Sequence, residues 1–185
     1  MSPWPLVMRA VSPGGNDGRL SVFIFHRVLS ESDPLFNGDP DAASFRQLMR
    51  WIKECFNVLP LDVAVRHLSE RSLPARAASI TFDDGYVDNF HIARPILESL
   101  GLTATFFIAT GYLNGGIMWN DSVIEAIRHC KKSHLDLSSM GLGILDLSSI
   151  ASTRRSTSKL LNDIKYLDSL RRDEFVSNIV AITDT

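Results

Sequence analysis

"SITFDDGYVDNF", residues 79–90, sets a β-branched and aromatic run directly against two adjacent carboxylates and a glycine. Its first four residues complete "AASITF", residues 77–82, which has the length and composition of a buried strand. Burying an unpaired carboxylate costs several kcal/mol, so Asp83 and Asp84 mark the point where the chain leaves the interior. Beyond them Phe90, Ala93, Ile96, Leu97 and Leu100 recur at helical spacing, with Gly101 placed to end the helix. Pro95 predicts that the regular helix starts close to it or kinks there. Asp88 and Asn89 are expected to cap that helix.

Outward from this stretch the chain alternates strands with helices. "LSVFIFH", residues 20–26, reads as a buried strand. A helix follows from Ser44, where Ser44 and Gln47 have capping-box spacing and Phe45, Leu48, Met49, Ile52 and Phe56 share a face. "FNVLPL" is a weaker strand, and a short helix over 62–71 places Leu61, Val65 and Leu68 on one face. "TATFFIA", residues 103–109, is the clearest strand, with Phe106 and Phe107 expected in the core. A glycine-rich loop then leads to a helix over 121–129. Four strand-to-helix steps argue for a parallel sheet with helical crossovers.

From His134 the pattern changes. "HLDLSSMGLGILDLSS" suggests a small hairpin, and residues 156–180 read as two helical segments. No further strand signal follows, so the βα architecture reads as incomplete. Residues 1–19, rich in proline and glycine, are expected to form a flexible arm ahead of one domain over 20–185.

The 185 residues carry a formal net charge of -2 and no dense Lys/Arg run, which argues against a nucleic acid partner. No apolar stretch reaches membrane-spanning length and no signal-peptide pattern is seen, so the expected compartment is the cytoplasm. Cys55 and Cys130 lie in helical segments with no metal-ligand spacing and read as reduced, partly buried thiols. His129 and His134 read as surface residues rather than metal ligands, as do His67 and His91 as solvent-facing side chains.

In parallel βα folds the residues just past a strand's C-terminal end form the ligand-bearing rim. Asp83 and Asp84 stand there. Consecutive residues leaving a strand point in different directions, so one carboxylate can bind a metal while the other accepts a proton. The competing reading is a pair of helix-capping carboxylates. Gly85 permits a positive φ or close approach of a ligand. His26 ends the first strand on the same rim, either lining the site or hydrogen-bonding an aspartate. Tyr86, Tyr112, Asn114 and Trp119 are further candidates for lining the site, with packing an equal reading for Trp119. An aspartate-nucleophile phosphatase would separate its two aspartates by one residue, unlike this adjacent pair.

"TFDDGYVDN", preceded by "FHRV" and followed by "GLTATFFIATGYLNGG", resembles the N-terminal portion of the polysaccharide deacetylase family, the NodB-homology or carbohydrate esterase type 4 group. By segment order the resemblance covers about residues 20 to 180. It implies a distorted (β/α) barrel, incomplete in this chain, and metal-dependent removal of N-acetyl or O-acetyl groups from saccharides. It further implies that Asp83 is the general base and Asp84 a ligand to a divalent metal, usually zinc. The family's downstream H-(S/T)-x-x-H ligand motif does not occur in these residues. The alternative expectation is a catalytically inactive fragment acting as a saccharide-binding or subunit-interaction module. An incomplete barrel would expose apolar edges, and a homo-oligomer covering them is expected.

Overall fold

Every residue of β3 (Ala77–Phe82) is buried, which its apolar and hydroxyl side chains permit because β3 is central in a parallel sheet. The computed structural model describes residues 4–183. These fall into two compact units, one comprising the residues up to 33 with 37–110, the other 34–36 with the residues from 111 onward.

In the first unit β1 (Ser21–Phe25) pairs with one edge of β3 along its length. The other edge is shared: β2 (Asn57–Val58) pairs with Ala77 and Ala78, and β4 (Thr105–Phe106) with Thr81 and Phe82. The registers Phe25↔Phe82 and Phe82↔Phe106 line up a row of rings on one face. Phe82 stacks on Phe25 at 5.4 Å and on Phe106 at 4.9 Å. From α2 (Ala42–Cys55), Phe45 meets Phe25 and Phe82 edge-on at 5.3 and 5.8 Å. Around this row pack Met49 and Ile52 of α2 and Ile96 and Leu97 of α4 (Arg94–Leu100).

The four strands form an open parallel sheet with helical crossovers, and no closed barrel is formed by the described residues. β1 alternates rather than being buried throughout: Phe23 and Phe25 turn to the core, while Val22 and Ile24 are exposed. β4 is shorter than its sequence suggests, and Phe106 and Phe107 are 37% and 49% exposed, because no further strand covers β4 among the described residues.

Local chemistry sets the helix ends. α2 starts two residues before Ser44, capped by Asp41, whose carboxylate accepts the Ser44 N–H at 2.7 Å, so the Ser44–Gln47 box is not used. In α3 (Leu61–Ser69) Ala64 is the buried residue and Val65 and Leu68 are exposed, against the face read from the sequence. Before α4 a turn of π-helix, Asn89–Ala93, closes with the Arg94 N–H on the Asn89 carbonyl. Pro95, in the first turn of α4, has no N–H to continue the ladder backward, so the preceding turn widens there. Gly101 ends α4 at φ 63°. Within the expected arm Trp4–Val11 forms a helix, α1, and residues 1–3 lie outside the described residues.

The second unit holds α5 (Trp119–His129), an antiparallel hairpin of β5 (His134–Asp136) and β6 (Ile144–Asp146), α6 (Ile150–Lys165) and α7 (Ser169–Thr183). Val123, Leu135, Leu145, Leu160 and Ile179 form its core. "LDLSS" occurs twice, at 135–139 and 145–149. Each copy makes the same turn: Asp136 accepts the Ser138 N–H and Asp146 the Ser148 N–H, both at 2.9 Å. No described helix is long and apolar enough to cross a membrane.

Phe82 is fully buried at the centre of the aromatic row. Phe82→Ala is expected to cost the first unit about 3–5 kcal/mol, measured by urea denaturation. A loss below about 1 kcal/mol would mean that the row does not hold the sheet.

The hydroxyl and N–H of Ser138 hold Asp136 below the ordinary carboxylate range, and those of Ser148 do the same for Asp146. A depressed folded-state pKa contributes stability above the unfolded value, near 3.8, that disappears as pH falls through the folded value. The melting temperature should therefore drop as pH falls below about 4, and Asp136→Asn with Asp146→Asn should flatten that part of the profile, read by circular dichroism.

Candidate functional site

The candidate site starts where the aromatic row ends. The Asp83 N–H donates to the Phe25 carbonyl at 2.9 Å, carrying the β1–β3 ladder one step past the strands. His26 and Asp83 thus directly follow the paired phenylalanines on neighbouring strands. Side chains alternate along a strand, so both residues belong to the face opposite the rings. His26 is exposed and Asp83 half-buried.

The chain then reverses through two successive left-handed residues, Asp84 at φ 72° and Gly85 at φ 75°. The left-handed region costs a non-glycine residue about 1–2 kcal/mol, least for Asp and Asn. Backbone bonds hold the turn: Gly85 N–H to the Asp83 carbonyl at 2.9 Å, and Ala109 N–H to the Asp84 carbonyl at 3.3 Å. The positive φ favours glycine at 85, and a Cβ there would sit 2.9 Å from Cδ1 of Ile108 and oblige that side chain to shift.

Asp88, read from sequence as a cap, does something else. It caps no helix and is 8% exposed. Its Oδ2 takes Nε and Nη2 of Arg27, each at 2.9 Å, and its Oδ1 takes the Val28 N–H at 3.2 Å. The Arg27 guanidinium also lies 4.5 Å over the Tyr86 ring. Arg27 was legible only as part of "FHRV"; its partner lies 61 residues away. Asn89 does not cap the helix either: it is 3% exposed, and among the described residues neither polar atom of its amide has a hydrogen-bond partner.

Two cavities lie nearby, neither of them lined by Asp83 or Asp84. One, of about 550 Å³, is lined by His26, Arg27, Ser32, Asn37, Asp39 and Asp41. It is polar enough, and in the size range, for a small polar ligand. The other, of about 310 Å³, is apolar and lies against Gly85, Tyr86, Phe90, Phe106 and Ile108.

Tyr112, Asn114 and Trp119 belong to the second unit. Tyr112 and Asn114 are exposed. Trp119 packs against that unit's core with the Arg172 guanidinium 5.3 Å over its ring, which supports its packing reading. His129 and His134 are exposed, bonded respectively to the Glu125 carbonyl and the Ser133 hydroxyl. Both cysteines are free and half-buried.

A catalytic zinc takes three protein ligands. Among the described residues no group of three or more His, Cys, Asp or Glu side chains is arranged to hold a metal ion, so those present do not fit a complete zinc site.

Residues 70–173, more than half of the chain, match the family model for polysaccharide deacetylase. Over 66 residues the chain is 30% identical to YxkH of Bacillus subtilis (strain 168), named as a polysaccharide deacetylase, covering 35% of this chain and 24% of that protein. Among solved structures, IcaB from Ammonifex degensii matches at 22% identity and TM-score 0.46 over 61% of this chain and 48% of that one. The Streptococcus pyogenes deacetylase PplD, solved in complex with acetate, matches at 24% identity and TM-score 0.47 over 57% of this chain and 50% of that one. The chain thus spans half or less of the length of each of these relatives.

An unsatisfied buried amide is a net cost, so removing it should do no harm. Asn89→Leu, which keeps the branched heavy-atom skeleton of the side chain, is expected to leave the melting temperature unchanged or raise it. A fall equivalent to more than about 1 kcal/mol in calorimetry would reveal a partner for the amide.

Proposed function

Since this chain belongs to the polysaccharide deacetylase family, we propose that it removes acetyl groups from N-acetylated or O-acetylated saccharides, with Asp83 as the proton acceptor. The observation that carries this reading is the position of the aspartate pair. It lies within the family-matched segment, on a strained turn directly past the C-terminal end of the central strand, where βα folds hold their ligands. A half-buried carboxylate on that rim is suited to take the proton of the water that attacks the acetyl carbonyl.

His26 follows Phe25 as Asp83 follows Phe82 across the β1–β3 ladder, and that adjacency, rather than the polar cavity, which neither aspartate lines, supports reading it as a substrate-contacting residue of the same site. Gly85 and Tyr86 shape the turn. Asp84 contributes one carboxylate toward a divalent cation, zinc by family resemblance. One carboxylate falls short of a catalytic zinc's three protein ligands, and proton transfer at Asp83 is the step that the chain's own residues supply. The family match favours a hydrolase over the inactive saccharide-binding or subunit-interaction module.

The test is acetate release from an N-acetylated chito-oligosaccharide or an O-acetylated glycan with Zn²⁺ in excess. Release is expected from the wild-type chain, and Asp83→Asn should lower it about 10²- to 10⁴-fold, the usual worth of a general base. No release by the wild type, or an Asp83→Asn variant as active as wild type, would overturn the assignment. Saccharide binding without release would replace the hydrolase with a binding module.

A further inference from the structure

Asp84 holds a backbone conformation that aspartate adopts at a cost, and the contacts around it show how the cost is met. Strained residues persist where the surrounding structure over-determines them. Three pins surround this turn. Upstream, the Asp83 N–H is fixed to Phe25, and laterally the Asp84 carbonyl is fixed to Ala109. Both are backbone bonds that a looser turn could exchange for water. Downstream, the pin is made of side chains: the carboxylate of Asp88, 8% exposed, grips Arg27 through Nε and Nη2 and takes the Val28 N–H on its other oxygen. Arg27 in turn lies over Tyr86, two residues past Asp84.

We propose that Arg27 and Asp88 are positioning residues that clamp the turn after β3 to the end of β1 and so keep Asp84 left-handed and the two carboxylates apart. The inference rests on reading Asp83 and Asp84 as the working pair. A buried carboxylate with a forked guanidinium and a backbone N–H has fixed geometry, unlike an exposed ion pair. Because His26 lies between β1 and Arg27, the clamp sets the spacing of His26 and the aspartates by tying together the two segments that bear them. Arg27 is placed to do this by lying two residues past the end of β1, where its guanidinium reaches both Asp88 and the Tyr86 ring.

The experiment uses the full 185-residue chain and reads the turn itself by nuclear magnetic resonance. Asp88→Asn keeps the shape and an acceptor for Val28 but removes the ionic fork. The expected result is that the Gly85 and Ala109 amides exchange about tenfold faster or more, while those of Met49 and Ile52 in α2 keep their rates. The Asp84 HN–Hα coupling and Cα shift should move from left-handed values toward coil averages. Arg27→Lys, which keeps the charge but loses the fork, should shift both readouts the same way, and it decides the matter if Asp88→Asn does not fold. Arg66→Met, which removes an exposed ion pair to Asp62 on α3 in the same unit, serves as the control and should leave Asp84 unchanged. Unaltered Asp84 signals in both clamp variants, an equal change in Arg66→Met, or uniform acceleration across the unit would overturn the proposal. No turnover is read, so failure here leaves the deacetylase reading standing, and a chain that releases no acetate leaves the clamp standing.

Discussion

The row of phenylalanine rings across the sheet, Phe25 to Phe82 to Phe106 with Phe45 set edge-on against it, is the constraint on which the rest of the first unit depends. Side chains on a strand alternate with a strict period of two, so fixing one ring fixes the face of every neighbour. A one-residue slip of β1 or β3 would expel a ring from the core and turn His26 or Asp83 into it. The penalty for that slip combines lost aromatic burial with a buried, unpaired polar group. The same burial that holds β1 against β3 therefore sends the polar residues that follow to the opposite face.

The turn after β3 shows two buried polar groups in neighbouring positions with opposite fates. Asp88 brings a full charge into the interior and meets a guanidinium fork and a backbone N–H. Asn89 brings a neutral amide and meets no hydrogen-bond partner among the described residues. The contrast follows from the backbone. Asp88 is still beside the end of β1, whereas Asn89 opens the π turn before Pro95 and is one of the residues lining the apolar cavity with Phe90 and Phe106.

What was legible in the sequence was local. The buried run 77–82, the start of regular helix at Pro95, its stop at Gly101 and the hairpin after His134 all follow from spacing and from residues with few conformational options. What was not legible depends on partners distant in the chain. β1 reads as buried because its composition is apolar, yet Val22 and Ile24 are exposed among the described residues. Asp88 has the composition and placement of a cap, and only the return of β1 beside it, bringing Arg27 from 61 residues away, makes it an anchor. α3 is a case of period without address: Val65 and Leu68 mark a stripe, but the sheet takes the side bearing Ala64. Of the site residues, His26 and Asp83 were expected on one rim and the ladder register makes them neighbours, while Trp119 packs against the core of the second unit.

The adjacency of Asp83 and Asp84 in sequence is what separates them in space. Asp83 still makes a ladder bond, so its side chain obeys the alternation of β3 and takes the face opposite the rings. Asp84 has left the ladder with φ at 72°, so its Cβ departs in a direction that no extended continuation of the strand would give. Two aspartates separated by one residue along an extended strand would instead share a face and converge on one ligand. An adjacent pair split by a left-handed residue presents two carboxylates to two different atoms. That geometry leaves Asp83 free of its neighbour's carboxylate, and it arises from a single strained residue that Gly85, Ala109 and the Arg27–Asp88 clamp hold in place.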